Sequence, residues 1–174
     1  MERNNLWAPW RLDYIQSVGS DAGASHKSAG DCFMCQAVGA AEADHADHLV
    51  LLHDHRGVMM LNRYPYTNGH LLIVPSGHRG RLNDLTEKER EGLMGLVALG
   101  EQLLEAAMNP QGINVGINIG EASGAGVPGH LHIHVLPRWH GDTNFMSSVA
   151  GLRVIPQALE KSYEQLGQML KGLI

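Results

Sequence analysis

The chain has only two cysteines among its 174 residues and no apolar run approaching the roughly 20 residues that span a membrane. Its start, Met1 to Asn5, leads into no signal-like apolar core. Basic residues are also few, with 13 Lys and Arg against 18 Asp and Glu and a formal net charge of -5. A nucleic-acid backbone needs a basic face. We therefore expect a cytoplasmic protein that binds neither membrane nor nucleic acid.

A small anionic ligand is compatible with this acidic balance, because a few backbone N–H groups can hold a phosphate. The length suits one domain with a substantial core. Residues 19–30 are small and polar and predict a loop or linker after a short aromatic arm, Leu6 to Arg11. We predict a single domain over residues 1–174, with the arm and linker in 1–30 and the core in 31–174.

Short apolar runs separated by turn-forming residues predict strands over residues 48–53, 57–63, 70–75, 112–119 and 131–136. Residues 86–107 have helical periodicity, and Thr86 with Glu89 forms a capping-box pattern at their start. Asn109-Pro110 ends this helix, and a second helix follows Pro156 to about residue 170. The order of these elements predicts an α+β fold on an antiparallel sheet.

Three alternating histidines, His130, His132 and His134, follow a glycine-rich stretch. Alternate side chains of a strand share a face, so we expect the three imidazoles to line up on one side. Imidazole is a poor packing group, which favours a functional role. From the residues alone, a metal-binding or merely polar strand face stays an open alternative.

The segment from Gly129 to Arg138 resembles the His-φ-His-φ-His-φ-φ signature of the histidine-triad family, where φ is apolar. Residues 60–75 and 117–120 resemble the family's nucleotide-binding hairpin and the strand before its phosphate loop. The arm 7–11 and the tail 137–146 are similar to the bacterial branch that includes diadenosine tetraphosphate phosphorylases. The resemblance implies a five-stranded antiparallel sheet with one long helix and a C-terminal helix, and a homodimer or larger assembly.

The resemblance also implies catalytic roles. His132 would attack the α-phosphorus of a nucleotide and form a covalent nucleotidyl-imidazole, which an acceptor then resolves. A backbone carbonyl of the triad strand would fix its tautomer. His134 would contact the phosphate and the bridging oxygen, and His70, on a neighbouring strand, would complete the cluster. A hydrogen-bonded core histidine is the alternative for His70.

For the nucleotide, the resemblance implies ribose contacts from Asn62 and an α-phosphate contact from Asn118. Plain turn or strand-end roles are the alternatives. The glycine-rich segment 120–129 can bring backbone N–H groups close to phosphate oxygens, and we assign Ser123, Gly124 and Gly126 to this loop. Many relatives carry a hydroxyl residue three positions before the first triad histidine, where this chain has Val127. Ser123 is the candidate replacement.

Cys32 and Cys35 form a C-x-x-C pair that predicts either buried thiols or half of a metal site. A redox role is disfavoured because no helix start signal follows the pair. The resemblance supplies two further ligands, His78 and His130. Four protein ligands close a tetrahedral site, so the zinc would be structural.

Together these expectations predict an enzyme that cleaves dinucleoside polyphosphates, foremost diadenosine tetraphosphate, with phosphate as the acceptor. A hydrolase of dinucleoside polyphosphates or nucleoside phosphoramidates is the alternative enzyme. A slowly turning-over nucleotide-binding regulator and a zinc-stabilised scaffold, in which all the histidines are ligands, are the alternatives outside enzymology.

Overall fold

The computed structural model describes residue 30, residues 32–142 and residues 155–174. The predicted arm 7–11, nearly all of the linker 19–30 and the end of the tail 137–146 lie outside these described residues. The division of the domain at residue 30 therefore stays a prediction.

The described part of the chain forms one antiparallel sheet whose strands match the five predicted apolar runs in position. The strands are β1 (Val50–Asp54), β2 (Gly57–Leu61), β3 (Leu71–Val74), β4 (Gly112–Ile117) and β5 (Ile133–Arg138). Their spatial order is β1-β2-β3-β5-β4, so β5 lies between β3 and the edge strand β4. The predicted antiparallel α+β fold is confirmed.

The described residues also contain the helices α1 (Phe33–Gly39), α2 (Glu87–Met108) and α3 (Leu159–Leu170). The predicted capping box starts α2: the Thr86 side chain accepts from Glu89 N–H, and the Glu89 carboxylate accepts from Thr86 N–H. Asn109 ends the helix in a left-handed conformation with φ of 47°. None of these described helices is long and apolar enough to cross a membrane.

The cysteine pair lies at the start of a helix although the sequence shows no helix start signal there. Helix α1 begins at Phe33, directly after Cys32, and its first turn has neither a side-chain cap nor an acidic residue. The helix is held by its buried side chains Met34 and Ala37 and not by a local start signal. Tertiary packing commonly decides short helices of this kind, and periodicity over seven residues could not reveal it.

The sheet is buried on both faces, because alternate side chains of β2 and β3 enter two different apolar cores. The larger core lies under α2 and α3 and contains Met59, Leu61, Leu71, Ile73, Ile133 and Val135. The smaller core lies under α1 and contains Val58, Met60, Leu72 and Val74 with Met34 and Ala37. Helix α1 therefore packs on the face opposite the long helix.

One row of residues on the α1 face crosses the middle of the sheet. Met60 pairs with Leu72, Leu72 pairs with His134, and His134 pairs with Gly116 in the edge strand. A Cβ added at Gly116 would meet nothing within 4 Å among the described residues. The space beside His134 on this face is therefore open.

Candidate active site

A cavity of about 310 Å³ lies on the α1 face of the sheet and collects most of the predicted catalytic and nucleotide-binding residues. It contains His132 and His134, both predicted amides and two loop glycines. Its lining consists of Phe33, Asn62, Tyr64, Tyr66, Leu72, Asn118, Gly124, Gly126, Val127, His132 and His134.

The three triad histidines lie on the α1 face as expected, because the alternating Leu131, Ile133 and Val135 enter the larger core on the other face. Strand β5 begins at Ile133, so only His134 lies within it, and the preceding Leu131 N–H donates to the Arg79 carbonyl at 2.7 Å. The His132 and His134 rings meet edge to face, with centroids 4.9 Å apart. The His130 ring is directed instead to a cluster formed with Cys32. His132 and His134 therefore line the cavity, and His130 belongs to the cluster.

The ring of His132 is held in one tautomer by the backbone. Its Nδ1 lies 2.9 Å from the His130 carbonyl oxygen, which can only accept, so Nδ1 carries the proton and donates. Nε2 is then the unprotonated nitrogen. Burial lowers the pKa of His132, against the opposing effect of this hydrogen bond. The ring is therefore a neutral imidazole with a nucleophilic Nε2 near pH 7.

The tautomers of His70 and His134 follow from a chain of hydrogen bonds. Tyr66 N–H donates to His70 Nδ1 at 3.1 Å, so the neutral His70 ring carries its proton on Nε2. His70 Nε2 lies 2.9 Å from His134 Nδ1 and donates to it. His134 must then carry its own proton on Nε2. His70 is fully buried and lies outside the cavity lining, so its contact with the cavity runs through His134.

The Nε2–H of His134 is buried without a hydrogen-bond partner among the described residues. Leaving a buried donor unpaired costs about 1–3 kcal/mol, which a ligand oxygen in the cavity would offset. Burial, and secondarily the charge of His132, lowers the pKa of His134 to about 4. The ring stays neutral near pH 7 and presents a donor beside the nucleophilic Nε2 of His132.

The predicted nucleotide contacts are brought together only in part. Asn62 and Asn118 line the cavity with Gly124 and Gly126. The Asn62 amide donates to His70 Nδ1 at 3.2 Å and accepts from Tyr64 N–H at 3.0 Å. Ser123 is outside the cavity lining, because its hydroxyl donates to the Gly120 carbonyl at 2.7 Å within its own turn. The geometry therefore argues against Ser123 as the replacement hydroxyl.

Sequence reasoning missed the aromatic side chains of the cavity. The Tyr66 ring stacks nearly parallel to His134, at 21° and 5.8 Å, and its centroid lies 4.8 Å from that of His70. Tyr64 is 81% exposed at the rim. The signal was available, since two tyrosines flank a proline in the loop before His70, where exposed aromatics are unusual.

A second cluster lies beside the cavity and unites the four predicted metal ligands. The ligand atoms of Cys32, Cys35, His78 and His130 all lie within 4.8 Å of one another. Cys35 Sγ is 3.1 Å from His78 Nδ1 and 3.4 Å from His130 Nδ1. His130 Nε2 donates to the Pro75 carbonyl at 3.0 Å, which leaves Nδ1 unprotonated and able to bind a metal.

The donor set fits a tetrahedral divalent ion. Zinc bonds of about 2.3 Å to sulfur and 2.0 Å to nitrogen place neighbouring S and N ligands about 3.5 Å apart, close to the distances found here. Burial, together with a hydrogen bond and charge from Cys32, raises the pKa of Cys35 to about 11. Cys35 is therefore a thiol near neutral pH in the absence of a metal, and it would need a bound cation to lose its proton. His132 and His134 do not belong to the cluster.

A buried imidazole with an unprotonated Nε2, an adjacent N–H donor and a glycine-rich loop before the triad are features of a histidine-triad site on a five-stranded antiparallel sheet. The HIT domain family model matches residues 43–141, which include the strands and the triad. The chain belongs to the HIT domain family.

The curated relatives support the same relationship over most of the chain. An AP-4-A phosphorylase from Mycobacterium tuberculosis is 35% identical over 165 residues, covering 88% of this chain and 77% of the relative. An asymmetrical bis(5'-nucleosyl)-tetraphosphatase from Schizosaccharomyces pombe is 35% identical over 82 residues, covering 47% and 44%. A Zn-bound histidine triad family protein from Mycobacterium smegmatis has a TM-score of 0.62 at 29% identity, covering 84% and 97%.

The hydrogen-bond chain predicts the protonation of His134 over a wide pH range. Its folded-state pKa of about 4 lies below the ordinary value near 6.5, so the ring should remain the Nε2–H tautomer from pH 8 to about pH 5. Its contribution to stability is full above pH 6.5 and is lost as the pH falls towards 4. Nitrogen-15 NMR of the histidine side chains reads the tautomer directly. A His134 titration midpoint near 6.5 would contradict the assignment.

Proposed function

We propose that this protein is an enzyme that cleaves dinucleoside polyphosphates, foremost diadenosine tetraphosphate, through a covalent nucleotidyl intermediate on His132. The observation that carries the proposal is the pairing of an unprotonated His132 Nε2 with the unpartnered His134 Nε2–H. The substrate class is supported by relatives whose names specify AP-4-A phosphorylase and bis(5'-nucleosyl)-tetraphosphatase activities.

In the first step, His132 Nε2 forms a bond to the α-phosphorus while the bond from that phosphorus to the bridging oxygen breaks. The bond electrons leave with the bridging oxygen, so ATP departs from diadenosine tetraphosphate. His134 Nε2–H donates a hydrogen bond to the oxygens on which negative charge develops. A phosphate leaving group needs no full proton transfer at neutral pH. Asn118 and the backbone N–H groups near Gly124 and Gly126 are suited to hold the α-phosphate.

In the second step, an acceptor oxygen attacks the same phosphorus and the P–N bond breaks, which restores the His132 lone pair. We favour inorganic phosphate as the acceptor, giving ADP, because the most extensively matched curated relative described above is named a phosphorylase. Water as acceptor gives AMP and is the alternative. A nucleotide-binding regulator with slow turnover would use the same contacts without the second step.

The acceptor and the nucleophile are tested together by product analysis. Diadenosine tetraphosphate incubated with millimolar-order phosphate should yield ADP and ATP, and His132→Ala should lower the rate at least about a thousandfold while nucleotide binding persists. The matched control is His55→Ala, which removes an exposed histidine outside the cavity. The measurement is nucleotide chromatography with and without phosphate.

AMP as the main product, unchanged by phosphate, would replace the phosphorylase with a hydrolase and leave His132 in its role. Full activity of His132→Ala would contradict the nucleophile. Turnover too slow to measure in the wild-type protein would favour the regulator.

We propose further that the four-residue cluster binds structural zinc. The closed N/S donor set and the Zn-bound relative support this assignment, and four protein ligands leave no open position for substrate. Such a zinc supplies no chemistry to the reaction. The zinc would join Cys32 and Cys35, at the start of α1, to His130, which directly precedes the segment with His132 and His134. The two thiol ligands also favour a reducing compartment, the cytoplasm.

Removal of one zinc ligand should reduce both metal content and stability. We expect Cys32→Ser to lose most of its bound zinc and to unfold about 10 °C below the wild-type protein, since metal binding is coupled to folding. His140→Ala serves as the control, because His140 is exposed and outside the cluster. Metal analysis and thermal unfolding measure both effects. A metal-free wild-type protein whose stability is insensitive to Cys32→Ser would refute the zinc site.

We also propose that two copies of the chain pair through the edge strand β4. Its helix-facing side chains Ile113, Val115 and Ile117 are only partly covered, and Val115 is 50% exposed beside the buried Val135. An uncovered apolar strip on an edge strand is suited to a second copy of the same strand.

A charge placed on this strip should separate the subunits. We expect Val115→Glu to shift the protein from dimer or larger assembly to monomer in light scattering after size-exclusion chromatography. Leu173→Glu is the matched control, because it also places a charge on an exposed apolar residue but lies on the C-terminal segment. A wild-type protein that is already monomeric would exclude the pairing.

A further inference from the structure

Phe33 occupies an unusual position between the two cysteines of the metal cluster. It is the first residue of α1, and its side chain is 40% exposed although its neighbours Cys32 and Met34 are fully buried. The same side chain lines the cavity that contains His132 and His134. A large aromatic side chain that is exposed within a cavity is available to contact a ligand there.

The cavity has apolar lining that the phosphate chemistry does not use. Leu72 is the pairing partner of His134 on the same face of the sheet, and Val127 is 8% exposed at the end of the glycine-rich loop. Together with Phe33, these side chains provide apolar surface in a cavity whose polar groups are imidazoles and amides. A ligand that combines a phosphate with a flat, weakly polar ring matches both kinds of lining.

The position of Phe33 depends on the metal ligands on either side of it. Helix α1 has only seven residues, too short to be stable alone, and its first turn lacks a side-chain cap. Two attachments hold it: the smaller core, which contains Met34, Ala37 and Cys32, and the cluster that Cys32 and Cys35 form with His78 and His130. The cluster ligands Cys32 and Cys35 lie on both sides of Phe33 in the chain, at the end of the helix that faces the cavity.

We propose that Phe33 is the nucleobase-contacting residue and that occupancy of the Cys32–Cys35–His78–His130 metal cluster sets nucleotide affinity by holding Phe33 against the cavity. The inference rests on the proposed function, since it takes the ligand to be a nucleotide. The metal then acts mainly on binding of the base, since the phosphate contacts proposed for Asn118 and the glycine-rich loop come from elements that carry none of its ligands. Loss of the metal releases the start of α1 and withdraws the aromatic wall.

The test compares AMP with ribose 5-phosphate, which keeps the sugar and phosphate but lacks the base. Calorimetry is performed on the metal-loaded and chelator-treated protein, each as wild type, Phe33→Ala and Phe33→Trp. In metal-loaded protein we expect Phe33→Ala to weaken AMP about tenfold or more and to leave ribose 5-phosphate unchanged, because base–aromatic contacts carry the difference. Phe33→Trp, which keeps an aromatic plane, should retain AMP affinity.

Metal removal should weaken AMP by a similar factor in the wild-type protein and have little further effect in Phe33→Ala, because both changes remove the same contact. Val38→Ala is the matched control on α1, since Val38 packs against the smaller core and lies outside the cavity lining. Circular dichroism and metal content confirm that each metal-loaded variant is folded and loaded.

Wild-type AMP affinity in metal-loaded Phe33→Ala would overturn this inference and leave the proposed function intact. Equal losses for AMP and ribose 5-phosphate on metal removal would also overturn it, since a general collapse of the site would then be the cause. Failure of the wild-type protein to bind AMP at all would contradict the proposed function, and this inference with it.

Discussion

The hydrogen bond from His132 Nδ1–H to the His130 carbonyl is the interaction on which the whole site depends. It assigns the lone pair of His132 to Nε2 without any acidic partner, and so avoids burying a carboxylate beside a polyanionic substrate. The ring of His130 is directed into the cysteine cluster. His130 therefore orients His132, the proposed nucleophile, through its backbone carbonyl and contacts the cysteine cluster through its side chain.

The two faces of the sheet differ in what they carry: one carries the larger core, and the other carries the cavity. The larger core, under α2 and α3, contains most of the buried apolar side chains, whereas the α1 face contains a small core next to the cavity. This separation leaves the row through Leu72, His134 and Gly116 open to a ligand. The core on the α1 face is small, so the short helix in the cavity wall has few apolar contacts, and we propose that the metal cluster also stabilises it.

Much of this arrangement could be predicted from the sequence, and the remaining features could not, for physical reasons. Strand positions and the Thr86–Glu89 capping box are local signals, so they could be predicted from neighbouring residues. Helix α1 could not be predicted in this way, because its position depends on contacts between residues distant in sequence, such as Cys35 and His78. The family resemblance identified the cluster and cavity residues, but it could not show that the Ser123 hydroxyl is occupied within its own turn.

Chemical trapping measures most directly whether His132 becomes covalently bound to a nucleotide, as proposed. Wild-type protein mixed with diadenosine tetraphosphate for milliseconds, without added phosphate, is denatured under conditions that preserve P–N bonds and then analysed by peptide mass spectrometry. We expect one added adenylate, located at His132. An adenylate on any other residue, or turnover without a covalent species under conditions where the second step is slow, would contradict it.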